Sequence, residues 1–470
     1  MFFFPIRKKE ISCFLLMSTM MILIIYIYST QRIIKDSLII TNLGAELIST
    51  IKLWAVLPLA IITMLIYAKL SDIFKKTQLF HLLNIFFISY FLLFTFIIQP
   101  NINYFTFNLQ HIKDYIPYLR YMFMMIENWS YILYYILSEL WGSVMLSLMF
   151  WQISNKVFKI EQAKRIYPLL GMVGQLGMLM SGQISYFFTN KSLFSTWIQS
   201  LKYINISVLF ASLILSILFF LLCKYIISYD EINIKKNNKK KMSFIDGLKH
   251  VFTSKYIGLI ASLILCYGVS INLVEGVWKA QTKILNPDMQ SYTAFMSRIQ
   301  YYTGICSMIA MYCSSYIISS IPWKYAALFT PFMIFITGTI FFIFSIYKHN
   351  ISYIFTFITA APIIITVFVG SFQNILSKAT KYAFFDPTKE IAYIPLNENL
   401  KSKGKAAADV IGGRLGKSGG AFIQWLLLLN PTSNLINISH YLFLIFIIIM
   451  IIWIFAVSSL AKEFKKAEGI

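Results

Sequence analysis

The chain has few charged residues, and few of those are acidic. Charged residues make up 13% of its 470 residues, which is about half their share in a soluble domain. Hydrophobic residues make up 58%, and apolar stretches of about 20 residues, long enough to cross a bilayer, recur along the whole length. This composition excludes a soluble globular protein and leaves no room for a large soluble domain. We predict an integral membrane protein embedded in the lipid bilayer.

The sequence also lacks the spacings that metal sites, disulfides and catalytic triads use. Its five cysteines lie in or beside apolar runs without a CxxC pair. Its five histidines are scattered without ligand spacing. We therefore predict no metal, no cofactor and no enzymatic activity. The alternative, a lipid-modifying membrane transferase, would need a catalytic cluster at a membrane face that the sequence does not show.

Basic residues outnumber acidic residues by 22, and their distribution indicates topology rather than nucleic-acid binding. Lysines concentrate in alternate interhelical loops, on the side that carries both termini. The positive-inside rule then places both termini in the cytoplasm, and we expect the cell inner membrane as the location. We predict about twelve transmembrane helices, over residues 11–40, 52–70, 78–98, 129–152, 167–189, 204–228, 256–279, 294–320, 324–347, 351–374, 406–430 and 435–460.

A lysine-rich, proline-free stretch over residues 229–255 divides the chain nearly in half. We interpret it as a cytoplasmic linker between two six-helix halves, residues 1–228 and 256–470; the alternative is simply a long loop. Residues 158–168 resemble residues 384–395, and a glycine-rich helix follows each segment. Two parallel six-helix repeats around a central cavity are typical of major-facilitator-type transporters. The predicted fold is therefore all-α and major-facilitator-like.

Charged residues within the predicted spans are candidate functional residues, because a charge at the bilayer centre is costly. Near the end of the first span, Arg32, Lys35 and Asp36 share one helix face. If the span ended before Arg32, these charges would instead reach the membrane interface. Glu139 has long apolar flanks on both sides and is the clearest buried carboxylate. We expect it to pair with a cation, although protonation or a role in a proton relay are alternatives.

The seventh and eleventh predicted spans also carry charges. Asn272, Glu275 and Lys279 lie on one face of the seventh span, where the two charged residues can also neutralise each other. Arg414 and Lys417 share a face of the eleventh span. The surrounding GGRLGKSGG looks like a P-loop, but that motif requires glycine at position 411, where this chain has isoleucine. We interpret these glycines as helix-packing residues.

Together these residues predict a cavity with excess positive charge, which suits a multiply charged anion such as a phosphate group. The predicted substrate-binding cations are Arg32, Lys35, Lys279, Arg414 and Lys417. The predicted counter-charges are Asp36, Glu139 and Glu275, and Asn272 is a further polar residue of the cavity.

Several segments resemble the nucleotide transporter family, the ADP/ATP translocases of obligate intracellular bacteria and plastids. They are KLWAVLPLAIITMLIYAKLSD, NWSYILYYILSELWGSVMLSLMFWQISNKVFKIEQAKRIYPLLG, NLVEGVWKAQTKILNPDMQSYTAFM, FDPTKEIAYIP and KGKAAADVIGGRLGKSGG. The resemblance implies twelve helices and exchange of ATP for ADP, or in some relatives proton-coupled uptake of other nucleotides. The charged positions that it implies for nucleotide binding and transport fall on Lys35, Glu139, Glu275 and Lys417.

We therefore predict a transporter that imports ATP in exchange for ADP by alternating access. Proton-coupled net import of nucleoside triphosphates is the alternative. ATP and ADP would be the transported substrates rather than cofactors, no nucleic acid would bind, and we expect a monomer.

Overall fold

A computed structural model describes residues 6–225, 254–347, 361–396 and 413–468, and within these ranges the chain is helical without a β-strand. The predicted linker over 229–255 therefore falls almost wholly outside the described residues. The main helices are α1 (Ile11–Leu43), α2 (Leu47–Ile73), α3 (Lys76–Phe105), α4 (Trp129–Val157), α5 (Ile160–Phe188), α6 (Trp197–Tyr225), α7 (Lys255–Leu285), α8 (Met289–Ser320), α9 (Trp323–Ile346), α10 (Pro362–Ala392), α11 (Gly413–Leu427) and α12 (Ser439–Glu468).

Nine of the described helices are long and apolar enough to cross a membrane. The other three are α5, α8 and α11. Helix α5 includes charged residues in its first turns, and α11 is described over 15 residues. The prediction of an all-helical polytopic membrane protein is confirmed, whereas the count of twelve crossings stays a prediction.

Contacts between helix ends define two ends of the molecule. One end is called the terminal end because it holds the start of α1 and the end of α12. There, Arg165 of α5 pairs with Glu10 next to the start of α1, and Lys255 at the start of α7 pairs with Glu463 near the end of α12. At the far end, the loop before α8 meets the α5–α6 loop through an ion pair between Asp288 and Lys191. Below, α1 to α6 are called the first half and α7 to α12 the second half.

Local sequence explains several helix boundaries. Gly44 separates α1 from α2 with a φ of 101°, a left-handed conformation that costs glycine little. Ser254 and Asp288 cap α7 and α8 by accepting hydrogen bonds from the backbone N–H groups of Ile257 and Ser291. These caps begin the two long helices that carry much of the second half.

Helix α10 differs most from its predicted span. It extends from Pro362 to Ala392 rather than over 351–374, so Lys378 lies inside the helix and is buried. The predicted span ended at residue 374 and so left Lys378 in the loop that follows; this boundary was wrong. The physical reason is that a charged side chain can continue a membrane helix when a carboxylate inside the protein pairs with it.

Glycine allows α5 and α1 to pack closely. A Cβ atom on Gly177 would lie 2.2 Å from the backbone oxygen of Ile22, a distance that requires the helices to move apart. By contrast, a Cβ atom on Gly171 of the same helix would meet only the side chain of Met311, at 3.5 Å. The two glycines therefore differ in how much space they leave for a larger residue.

We expect Gly177→Ala to destabilise the protein and Gly171→Ala to be neutral or slightly stabilising. Overpacking typically costs about 1 to 3 kcal/mol, whereas alanine is favoured over glycine by about 1 kcal/mol inside a helix. Thermal unfolding of the two detergent-solubilised variants measures the difference. Equal melting temperatures would contradict the close contact between α5 and α1.

Candidate functional site

Lys35 lies at the centre of a buried group of charges. Its Nζ atom is 2.7 Å from Oδ1 of Asp36 and 2.9 Å from Oε1 of Glu139. It also lies 3.8 Å from the centroid of the Tyr135 ring. The side chain is 2% exposed. Contacts with two carboxylates and an aromatic face compensate for the removal of the ammonium group from water.

Asp36 connects the two halves of the protein. Its Oδ2 atom is 2.9 Å from Nζ of Lys279 on α7, while its Oδ1 atom contacts Lys35 on its own helix. Both ends of the bridge are almost fully buried. One carboxylate thus holds an ammonium group from each half.

Glu275 of α7 is the meeting point of three cations. Its Oε1 atom lies 3.3 Å from Nη2 of Arg32, 3.5 Å from Nζ of Lys279 and 3.7 Å from Nζ of Lys378. These cations come from α1, α7 and α10. Arginine and lysine side chains converge in a similar way on a bound phosphate group. In this structure the carboxylate of Glu275 occupies the position that such a phosphate group would take.

We call these residues the central charge network. It consists of Arg32, Lys35, Asp36, Glu139, Glu275, Lys279 and Lys378. Four cations and three carboxylates leave one positive charge in excess. A multiply charged anion can compete with the carboxylates for the same cations, and the carboxylates can pair with the cations again when the anion leaves.

One side of the network is partly exposed. Arg32 and Glu139 have side chains that are 26% and 21% exposed. Lys417 of α11 is exposed, yet its charge interacts with those of Glu139 on α4 and Arg32 on α1. Lys417 therefore lies near the partly exposed side of the network.

Lys381 of α10 adds a further cation on this side of the network. Its side chain is 29% exposed, its Nζ atom lies 3.4 Å from Oδ2 of Asp386, and its charge interacts with that of Lys417. It begins a π-helical segment, Lys381–Phe385, and such wide turns frequently occur at functional sites.

The structure brings six of the predicted charged residues into direct ion-pair contact: Arg32, Lys35, Asp36, Glu139, Glu275 and Lys279. Helix α1 continues to Leu43, so the charges on it lie within the helix rather than beyond its end. The pair between Glu275 and Lys279 exists, but Glu275 has two further cationic partners. The side chain of Arg414 lies outside the described part of the chain, and Asn272 accepts a hydrogen bond of 2.6 Å from Nζ of Lys52.

Sequence reasoning missed Lys52, Lys378 and Lys381 as residues of the site. Lys52 stands at the edge of its predicted span, and the other two lie between the predicted spans 351–374 and 406–430. The spacing of Lys378 and Lys381 by three residues, directly after an apolar run, is the signal that could have found them.

Residues 1–464 match the family model described as TLC ATP/ADP transporter. The chain belongs to this family. It is 41% identical to ADP,ATP carrier protein 1 of Rickettsia prowazekii (strain Madrid E), over 98% of this chain and 95% of the relative. It is 40% identical to ADP,ATP carrier protein 3 of Rickettsia bellii (strain RML369-C), over 98% of this chain and 96% of the relative. The resemblance stated from the sequence motifs is confirmed.

Solved transporter structures share the fold of this TLC family member. The crystal structure of a D-xylose-proton symporter aligns with a TM-score of 0.59 at 14% sequence identity, over 96% of this chain and 97% of that chain. Identity at this level shows the fold alone. The shared fold confirms the prediction of a major-facilitator-like architecture. The apolar helices and the membership of the TLC family confirm a multi-pass integral membrane protein.

Proposed function

We propose that this protein exchanges ATP for ADP across the membrane by alternating access, importing ATP. Membership of the TLC family supports nucleotides as the substrates. Within the structure, the convergence of Arg32, Lys279 and Lys378 on the single carboxylate of Glu275 supports the proposal best. Arginine can hold two phosphate oxygens in a fork, while lysine acts as a mobile point charge.

Substrate binding in this proposal is an exchange of anions. The phosphates of the nucleotide enter the cavity beside Arg32 and Lys417 and displace carboxylates from the cations of the network. Arg414, whose side chain is not described, is proposed as a further phosphate ligand. Because Asp36, Glu139 and Glu275 stay close by, they can pair with the cations again, which limits the affinity and allows release.

The same ion pairs account for coupled exchange. Arg32–Glu275 and Lys279–Asp36 join α1 of the first half to α7 of the second half. In the empty protein these buried pairs hold the halves together. A bound nucleotide replaces them with phosphate contacts, so the halves reorient only with substrate in the site.

The remaining assignments follow from the sequence argument. The terminal end faces the cytoplasm, because the lysine-rich loops lie there. The protein works in the inner membrane as a monomer, through two six-helix halves joined by a linker over 229–255. It transports its nucleotides unchanged, without a cofactor or an enzymatic step.

Counter-substrate dependence tests this proposal. Proteoliposomes containing the protein should take up labelled ATP when loaded with ADP, and uptake should fall to the protein-free level when they are empty. Unlabelled ATP and ADP should compete, whereas other nucleoside triphosphates should not. Uptake into empty vesicles that depends on a proton gradient would instead indicate net import of nucleotides.

A further inference from the structure

A narrow crevice lies between α2, α7 and α11, on one side of the central charge network. We call it the side crevice; it is lined by Ala45, Ile48, Lys52, Asn272, Glu275, Gly276, Lys279 and Gln424. Glu275 and Lys279 belong to both the crevice and the network. The lining extends to Ala45, which precedes α2 at the far end, so the crevice leads from the network toward that end.

Helical spacing brings the walls of the crevice together. Ile48 and Lys52 are four residues apart in α2, and Asn272, Glu275 and Lys279 are spaced by three and four residues in α7, so each set lies on one helix face. A Cβ atom on Gly276 would lie 2.4 Å from Nε2 of Gln424, so this glycine makes room for the glutamine side chain in the wall of the crevice. Gln424 of α11 closes one side by donating a hydrogen bond of 2.8 Å to the backbone oxygen of Asn272.

Lys52 differs from the cations of the network in its partner. Its Nζ atom donates to Oδ1 of Asn272 at 2.6 Å, and no carboxylate of the described residues lies within ion-pair distance. The nearby Glu275 already meets three other cations. An ammonium group has three donors, so two remain for another acceptor. A half-buried cation with only an amide partner is poorly compensated.

A purely structural role does not explain the charge of Lys52. Asn272 is oriented independently, because its Nδ2 atom donates to the backbone oxygen of Gly268 at 2.8 Å. A neutral donor could therefore bond to Asn272 without the cost of burying a charge. The positive charge is accounted for if an anion enters the crevice.

We propose that Lys52 is a phosphate-binding residue for nucleotide that reaches the site from the far end. The crevice widens when the halves separate at that end, and Lys52 and Lys279 then hold phosphate oxygens from opposite walls. This assignment rests on the proposed nucleotide exchange. It adds a substrate-binding residue that acts from one side of the membrane.

Side-specific kinetics test the proposal. The variants are Lys52→Met, which keeps the chain length without the charge, Lys52→Arg, which keeps the charge, and Lys69→Met, a control on an exposed lysine of the same helix. Right-side-out and inside-out membrane vesicles, loaded with ADP, present ATP to opposite ends of the protein. A labelled terminal tag reports the orientation, and the amount of protein in each membrane normalises the rates.

We expect Lys52→Met to raise the KM for ATP about tenfold when ATP reaches the far end, as fits the loss of a charge-assisted hydrogen bond. The KM from the terminal end should stay within about twofold. Lys52→Arg should recover most of the affinity, and Lys69→Met should match the wild type.

Two results would overturn the assignment. An unchanged KM on the far side would remove Lys52 from the binding site. Equal rises from both sides would mean that Lys52 acts only by supporting Asn272. If vesicles containing the wild-type protein showed no exchange, the proposed function itself would be refuted, and so would the assignment of Lys52.

Discussion

Replacing Lys35 by methionine is expected to reduce nucleotide exchange by about 100-fold or more. The substitution removes an ammonium group that contacts Asp36 at 2.7 Å and Glu139 at 2.9 Å. Each hydrogen bond to a charged group contributes about 1.5 to 3 kcal/mol of stabilisation. A free-energy difference of about 1.4 kcal/mol corresponds to a factor of ten in an equilibrium constant. The initial rate of labelled ATP uptake into ADP-loaded vesicles, normalised to the amount of protein, measures the loss.

A second variant separates transport from folding. Removing one partner of a buried ion pair costs about 3 to 5 kcal/mol, because the other charge stays buried. The double substitution Lys35→Met with Glu139→Gln removes one charge of each sign and leaves the bridge from Asp36 to Lys279 intact. It should restore much of the thermal stability without restoring exchange. Wild-type exchange by the double variant would contradict a role for Lys35 in phosphate binding.

Helix periodicity predicted the site within each helix but not between helices. The spacing of Arg32, Lys35 and Asp36 placed three charges on one face of α1. It could not reveal that Asp36 pairs with Lys279, which lies 243 residues away. Such pairing depends on how α1 and α7 pack, and a single sequence carries no direct signal of that packing.

Hydropathy failed where charges are compensated inside the membrane. Lys378 and Lys381 interrupt the apolar run of α10, so the predicted span ended at residue 374. The helix continues to Ala392 because these side chains find Glu275 and Asp386. A window of average hydropathy treats every charge as exposed, and this assumption is least valid at the substrate site of a transporter.

Lys279→Met should impair exchange far more than Lys191→Met, although both lysines form Lys–Asp ion pairs between the two halves. Lys279 lies 2.9 Å from Asp36 and is almost fully buried. Lys191 lies 3.1 Å from Asp288 at the far end, where the side chains are 61% and 49% exposed. An exposed ion pair contributes about 0 to 1 kcal/mol to the stability of a protein. We expect a loss of about 100-fold for Lys279→Met, as for Lys35→Met, and less than about twofold for Lys191→Met.

The double variant Lys279→Met with Asp36→Asn separates two roles of Lys279. One is its ion pair with Asp36, which joins the two halves, and the other is the proposed binding of phosphate. After this change Lys35 still pairs with Glu139, and Glu275 still meets Arg32 and Lys378. No carboxylate of the network loses its last partner, so stability should recover by about 1 to 3 kcal/mol relative to the sum of the single effects. Exchange should stay low, because a phosphate ligand is missing. If Lys191→Met were as harmful as Lys279→Met, the contact at the far end rather than the buried network would hold the empty protein together.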